Sequence, residues 1–152
     1  MNKSFSQDLV SNRKARYNYE ILETFEAGLV LFGTEIKSLR EHKGSLQEAY
    51  IIAEGNELWL INAQIPPYQF GNIHNHPEKR KRKLLMHANE IARLKRAVQE
   101  KGLALIPLSI FLKGRWAKIK FAIGRGKKMH DKRESIKEKE SKRAIEKEFK
   151  HR

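Results

Sequence analysis

The sequence contains no cysteine. This absence excludes disulfide bonds, a thiol nucleophile and cysteine-bound zinc. Long apolar runs are also missing, because the longest, LALIPLSIFL, is interrupted by Pro107 and falls well short of the ~20 residues that a membrane helix needs. The N-terminal residues MNKSFSQDLVSNRKARY lack the apolar segment of a secretory signal peptide. We therefore expect a cytoplasmic protein without a membrane partner.

Acidic residues are few relative to basic ones. The chain of 152 residues has 18 Asp and Glu against 32 Lys and Arg, which gives a net charge of +14 and a pI of about 10.1. A field of that sign attracts polyanions, nucleic acid above all. The hydrophobic fraction of 39% is enough for one small core. These totals predict a single domain that binds nucleic acid.

Several stretches carry the alternating pattern of β-strands. In residues 17–31 every second residue is apolar except Glu23, which predicts a long strand with one buried face. AYIIA and ELWLINAQI flank a Gly55-Asn56 turn signal and predict a hairpin. LALIPLSIFL and RWAKIKFAI, around Gly114, predict a second hairpin. Its last strand points Ala117, Ile119, Phe121 and Ile123 to one side and Trp116, Lys118 and Lys120 to the other.

Two helices are predicted between these strands. TEIKSLREHK, between Gly33 and Gly44, is a short helical pattern, and LLMHANEIARLKRAVQEKG repeats apolar residues every three or four positions from residue 84. Five or six strands are too few for a two-sheet sandwich, whereas closure removes exposed edges. We predict a mainly β fold with inserted helices, namely a small closed OB-like β-barrel. It would span residues 16–123 with two or three helices, after an N-terminal arm at residues 1–15.

Residues 124–152 form a separate basic tail. They contain 12 Lys and Arg, 6 Asp and Glu, and few large apolar side chains. Such a segment cannot bury enough surface to offset the entropy of ordering, so we expect it to be disordered in the free protein. Glu–Lys pairs four residues apart favour a helix once the tail is held by a partner.

The individual residues indicate binding rather than catalysis. The run KRKRK at residues 79–83 suits phosphate neutralisation, although a solvated loop has the same composition. Trp116 with Lys118 and Lys120 suits stacking on single strands, but lysine on a strand also guards an edge. His74, His76 and His87 lack the spacing of a metal site and are expected to be polar loop histidines. No nucleophile or cofactor motif is present, so we expect neither catalysis nor a cofactor.

Three segments together resemble a known family. NRKARYNYEILETFEAGLVLFGTEIKSLR, NHPEKRKRKLLMHANEI and GKKMHDKRESIKEKE are similar to the bacterial SsrA-binding protein family (small protein B), in the same order and at similar spacing along nearly the whole chain. The resemblance implies an OB-like barrel with added helices and a tail disordered in the free protein. It also implies a role in trans-translation, the rescue of stalled ribosomes with transfer-messenger RNA.

The resemblance also implies which residues act. Asn12, Glu26 and Leu85 match positions that bind transfer-messenger RNA, Arg82 and Lys83 adjoin them and supply charge, and Arg16 and Lys37 complete this set. The tail residues implied to act on the ribosome are Gly126, Lys127, Lys128, His130, Asp131, Lys132, Arg133, Ile136 and Lys137. Within that set, His130 is the candidate for stacking on a base at the decoding site.

The implied mechanism is mimicry of a tRNA. The barrel would bind the tRNA-like domain of the RNA and stand in place of an anticodon arm, while the tail would enter the vacant decoding site and mRNA channel. Alanyl-tRNA synthetase and elongation factor Tu are implied as further partners through the RNA. Two alternatives stay open from the residues alone: a general single-strand-binding OB module, and an RNA-modifying or metal-dependent enzyme.

Overall fold

The computed structural model describes residues 8–71 and 75–127 of the chain. Within them the strands are Asp8–Ser11 (β1), Tyr19–Leu29 (β2), Tyr50–Glu54 (β3), Glu57–Ile61 (β4), Arg82–Leu85 (β5), Ala104–Lys113 (β6) and Trp116–Gly126 (β7). The helices of the same part of the chain are Ala15–Asn18 (α1), Gly33–Arg40 (α2) and Ala88–Lys101 (α3). Strand predominates, which confirms the prediction of a mainly β protein with inserted helices.

The strands form one antiparallel sheet that returns on itself. Their order is β1-β6-β3-β4-β5-β2-β7, and β7 also pairs with β6. The six strands β2 to β7 therefore make a closed ring of pairs, while β1 lies outside the ring against β6. Closure of this kind leaves few unpaired strand edges. The sequence predicted five or six strands, and β1 lies within the segment that was expected to be an arm.

The longest strand pair, β2 with β7, contains a bulge that the alternating pattern did not indicate. The register of β2 passes from Ile21 to Glu23 and skips Leu22. A bulge of one residue reverses the faces of the residues beyond it. The prediction of a single face for residues 17–31 was therefore wrong. Phe25 stacks on the buried Phe121 with 5.5 Å between ring centroids, whereas Ile21 lies on the outer face of the ring.

Residues 82–85 form strand β5 rather than the first turn of a helix. This strand pairs with β4 on one side and β2 on the other, so it completes the ring. Leu84 is 1% exposed and Leu85 is 54% exposed, as strand alternation requires. The helix predicted from residue 84 instead begins at Ala88. From there the predicted spacing holds, because Ile91 and Leu94 are buried in the core.

The core lies inside the ring and beneath the helices. Its completely buried apolar side chains include Leu58, Leu60, Ile110, Ile119 and Phe121. Both predicted hairpins are present, and their turn glycines at positions 55 and 114 have φ angles of +63° and +64°, which side chains other than glycine rarely adopt. The short helix predicted after residue 33 is α2. No helix in the described ranges is long and apolar enough to cross a bilayer.

Strand β7 continues past the boundary that the sequence suggested at residue 124. Gly124, Arg125 and Gly126 pair with residues 21, 20 and 19 of β2, and Gly124 is buried. The backbone N–H of Lys127 then donates to the carbonyl of Asn18 at 2.9 Å. The folded part thus includes the first residues of the predicted tail. Residues 128–152 lie outside the described part of the chain.

Candidate nucleic-acid interface

A row of paired residues crosses four strands on the outer side of the ring. Lys120 of β7 lies opposite Glu26 of β2 and also opposite Ser109 of β6, and Ser109 lies opposite Ser11 of β1. Because paired strands are about 4.8 Å apart, the row spans about 14 Å. Glu26 and Lys120 are exposed. This outer row (Glu26, Lys120, Ser109 and Ser11) leads from Glu26 to the end of β1, where Asn12 follows.

A groove of about 620 Å³, lined mainly by apolar residues, lies beside the outer row. Leu85 covers Gly28, since a Cβ added to Gly28 would come within 3.2 Å of the Leu85 Cβ. Lys118 pairs with Gly28, and Trp116 is 70% exposed. Ile36 of α2 contributes to the lining. An exposed indole, an apolar surface and a cation are the groups that stack on bases and neutralise phosphates.

Three other predicted RNA-binding residues, Asn12, Arg16 and Lys37, have different surroundings. The side-chain amide of Asn12 donates to the carbonyl of Pro107 at 2.9 Å, and its backbone N–H donates to the carbonyl of Leu108 at 2.7 Å. Asn12 therefore holds β1 against β6. Arg16, on α1, is exposed. Lys37, on α2, lies near the ring of Tyr68, with 5.6 Å between its ammonium and the ring centroid.

The basic run at residues 79–83 divides between the inside and the outside of the fold. Arg80 and Arg82 both donate to the carboxylate of Glu35, each at 2.5 Å. Arg82 is completely buried, and it also donates to the carbonyl oxygens of residues 63, 78 and 80. Its predicted role of supplying charge to RNA does not fit this position. Lys79 and Lys81 are exposed instead, and Lys83 of β5 is half-buried.

The surroundings of Glu35 decide the charge state of this buried cluster. Burial raises the pKa of the Glu35 carboxyl, but the bond from Arg80, the backbone N–H of Phe32 and the charge of Arg82 together lower this pKa below its ordinary value. Burial lowers the pKa of Arg82, and the charge of Glu35 opposes that effect. The single carboxylate of Glu35 thus pairs with two guanidinium groups, one completely buried and one partly exposed, and the sequence did not predict this cluster.

Two lysines of the run remain on the surface in weak ion pairs. Lys81 lies 2.7 Å from Glu54 and 4.4 Å from the ring centroid of Trp59, and Lys83 lies 3.7 Å from Glu57. The hydrogen bond from Lys81 lowers the pKa of Glu54. Exposed pairs of this kind contribute little to stability. Both lysines can therefore leave their carboxylate partners and bind an RNA phosphate with little loss of protein stability.

His76 lies in a loop, as the sequence predicted, but its side chain is buried and has a structural role. It is 4% exposed, its Nε2 lies 2.8 Å from the carbonyl of Ile65, and its Nδ1 lies 2.8 Å from the hydroxyl of Thr34. Because a carbonyl only accepts, Nε2 carries a proton and donates it to the Ile65 carbonyl. Among residues 8–71 and 75–127 no group of three or more His, Asp or Glu could hold a metal ion.

The tail leaves the folded part beside a second cleft. This cleft has a volume of about 420 Å³, and Asn12, Tyr19, Tyr50 and Lys127 are among the residues that line it. Gly126 pairs with Tyr19 at the end of β7. The other predicted ribosome-binding residues lie outside the described residues: Lys128, His130, Asp131, Lys132, Arg133, Ile136 and Lys137.

Comparison with known proteins matches this chain to one family. The family model described as SmpB protein matches residues 9–151. The chain belongs to the SmpB family. An SsrA-binding protein of Protochlamydia amoebophila is 58% identical over 144 residues, which cover 95% of this chain and 94% of the relative. The SsrA-binding protein of Chlamydia caviae is 55% identical and covers 93% of this chain and 94% of its own length.

A solved structure supports the same membership. One chain of a structure described as "tmRNA-SmpB: a journey to the center of the bacterial ribosome" is 45% identical to this chain, with a TM-score of 0.67. The match covers 83% of this chain and 92% of the solved one. In this SmpB-family chain, Trp116, Lys118 and Lys120, which the sequence analysis singled out for their outward alternation on β7, lie beside the groove and the outer row.

Proposed function

We propose that this chain binds transfer-messenger RNA and acts in trans-translation on stalled ribosomes. The observation that carries the proposal is its membership of the SmpB family along nearly the whole chain. The structural likeness to a chain of a tmRNA-SmpB ribosome complex supports it further. The ring of strands serves as an OB-like barrel, and the protein acts in the cytoplasm without catalysing a reaction.

The RNA contact is proposed for the outer row and the groove beside it. Lys118, Lys120 and Lys83 supply cations for phosphates, and Leu85 with Trp116 supplies the apolar contact. Arg16 and Lys37 extend the positive charge beyond this face. Glu26, which lies opposite Lys120, accepts hydrogen bonds from 2′-hydroxyl or base amino groups. Arg82 and Asn12 support RNA binding indirectly. Arg82 stabilises the fold through its ion pair with Glu35, and Asn12 holds β1 against β6.

The RNA on this surface is the tRNA-like domain, with the barrel in place of an anticodon arm. The tail then reaches the vacant decoding site and the mRNA channel, where its cationic composition suits a path lined by RNA. Gly126 and Lys127 start the tail, and the residues from Lys128 to Lys137 contact the ribosome, with His130 stacking on a base. Alanyl-tRNA synthetase and elongation factor Tu bind the same RNA and are therefore indirect partners of this protein.

The test separates the folded part from the tail. A truncated protein ends at Lys127, because β7 pairs as far as Gly126 and Lys127 bonds to Asn18. A second, full-length variant carries Lys118→Glu and Lys120→Glu, with Lys101→Glu at the exposed end of α3 as its matched control. Binding to transfer-messenger RNA is measured in competition with excess single-stranded RNA, and peptide tagging is measured on stalled ribosomes.

We expect the truncated protein to bind the RNA normally and to lose tagging. The double variant should bind at least about tenfold more weakly, and each lost phosphate contact should reduce the slope of log K against log salt by about 0.7–0.9. The Lys101→Glu control should bind as the wild type does. Equal affinity of the wild type for single-stranded RNA would favour the general single-strand-binding module, which the exposed Trp116 beside two lysines also suits.

A further inference from the structure

Two exposed aromatic side chains and a half-buried third lie at α2 and in the connection after β4. Phe70 is 67% exposed and Phe32, which precedes α2, is 52% exposed. Tyr68 contacts Phe70 edge to face, with 5.5 Å between the ring centroids. Large aromatic rings that remain in water mark a binding surface more often than scattered small apolar residues do. We call Phe32, Tyr68 and Phe70 the aromatic platform.

The backbone beneath this platform is held in place by specific hydrogen bonds. The side chain of Asn75 accepts from the N–H of Tyr68 at 2.9 Å and donates to the Tyr68 carbonyl at 2.5 Å. The N–H of Gly71 donates to the same carbonyl at 2.9 Å. A Cβ on Gly71 would come within 2.7 Å of the Asn75 Nδ2, so the clamp requires glycine there. A platform fixed before binding loses little entropy when a ligand arrives.

Two positively charged side chains lie close to the rings of the aromatic platform. The guanidinium of Arg80 lies 4.2 Å from the ring centroid of Phe32 and is itself held by Glu35. The Lys37 ammonium lies 5.6 Å from the ring centroid of Tyr68. An aromatic face beside a positive charge suits a nucleotide, whose base stacks while its phosphate meets the cation.

The platform continues the surface proposed for RNA. Val30, Leu31 and Ile36 line the groove beside the outer row. Phe32 follows Leu31 directly, and Lys37 follows Ile36. Arg80, which stacks on Phe32, also donates to the carbonyl of Val30 at 3.3 Å. Arg80 therefore connects Phe32 of the platform to the edge of the groove at Val30.

We propose that the aromatic platform binds an unpaired nucleobase of the same RNA that the outer row binds. The base stacks on Phe70, and Lys37 contacts a neighbouring phosphate. The base must be unpaired, because bases within a duplex are stacked on each other and offer no free face to a side chain. This inference rests on the proposed function and adds to it a stacking contact on a different part of the fold.

The experiment measures binding of three full-length variants, Phe70→Ala, Phe70→Leu and Phe70→Trp, to the tRNA-like domain of transfer-messenger RNA. Tyr50→Ala removes another exposed aromatic side chain, on β3, and is the matched control. The Ala and Leu variants should bind about tenfold more weakly, the loss typical of one stacked base, and the Trp variant should bind as the wild type does. Because Phe70 is largely exposed, the thermal midpoint of unfolding should stay unchanged in all three.

The outcomes separate this inference from the function on which it rests. Wild-type affinity in all three Phe70 variants, together with weak binding of the Lys118→Glu and Lys120→Glu variant, would overturn the platform and leave the proposed function in place. Wild-type affinity of Phe70→Leu together with weaker binding of Phe70→Ala would also overturn it. That result would mean that Phe70 makes an apolar contact with the RNA and does not stack on a base. If the lysine variant also bound normally, the proposed RNA surface itself would be wrong.

Discussion

The buried carboxylate of Glu35 offers a sharp test of how this fold is held together. Its side chain is completely buried, and it accepts hydrogen bonds from Arg80, from Arg82 and from the backbone N–H of Phe32. The substitution Glu35→Gln keeps the shape and leaves a side-chain carbonyl as an acceptor, but it removes the negative charge. The buried guanidinium of Arg82 and the partly exposed guanidinium of Arg80 then remain without a counter-ion.

The expected loss of stability is large. Removing one partner of a buried ion pair typically costs about 3–5 kcal/mol, because the remaining charge stays desolvated. Arg82 cannot relieve this by turning outward, since it is completely buried and three carbonyl oxygens also hold it. Domains of this size have a free energy of unfolding of about 5–15 kcal/mol. Glu35→Gln should therefore remove a large share of the total and leave the domain close to unfolding at 37 °C.

The assay is equilibrium unfolding in urea at pH 7, followed by far-ultraviolet circular dichroism. Glu54→Gln is the control, because it breaks an ion pair to Lys81 of similar length, 2.7 Å, on the surface. The control should leave the midpoint nearly unchanged. A Glu35→Gln midpoint close to that of the wild type, with the same slope, would refute the reasoning. The two arginines would then be held by their hydrogen bonds alone.

The pH dependence of stability and the glycines at the end of β7 give two more tests. Because the pKa of Glu35 is lowered in the folded state, its contribution is present above the ordinary carboxyl pKa of about 4.3 and is lost as the pH falls through the lower folded value. The stability difference between wild type and Glu35→Gln, measured by urea unfolding at successive pH values, should thus shrink below pH ~4. Gly124→Ala should lower the free energy of unfolding by about 1–3 kcal/mol, since its Cβ would come within 2.5 Å of the Glu20 carbonyl oxygen, whereas Gly126→Ala, with nothing within 4 Å, should have little effect. Equal midpoints for the two glycine variants would contradict that account.

The elements that the sequence predicted well are those whose signals are local. The turn glycines at positions 55 and 114 marked both hairpins, and the alternation of β7 placed Lys118 and Lys120 outside and Phe121 inside. The start of α3 was misplaced, because Leu84 fits the spacing of a helix as well as that of a strand. Only the pairing of β5 with β4 and β2, which involves residues far apart in the chain, decides between them.

The sequence predicted the residue types of the candidate site, but it did not predict which of those side chains are buried, because burial depends on contacts between residues far apart in the chain. A run of five basic residues has the same composition whether its side chains point to solvent or to a buried carboxylate. The strand geometry of residues 82–85 and the position of Glu35, 47 residues before Arg82, make the distinction. Likewise the aromatic platform depends on Asn75 folding back onto Tyr68, a contact that no periodic pattern contains.

Strand β7 links the two activities proposed for the chain. Its middle carries Lys118 and Lys120 on the outer side of the ring, and its end at Gly126 starts the tail. Gly126 lies six positions after Lys120, which is about 20 Å of extended strand. Because β7 pairs on both sides and buries Phe121, this spacing is fixed by the core. Under the proposed function, an RNA held on the outer row therefore sets where the tail begins.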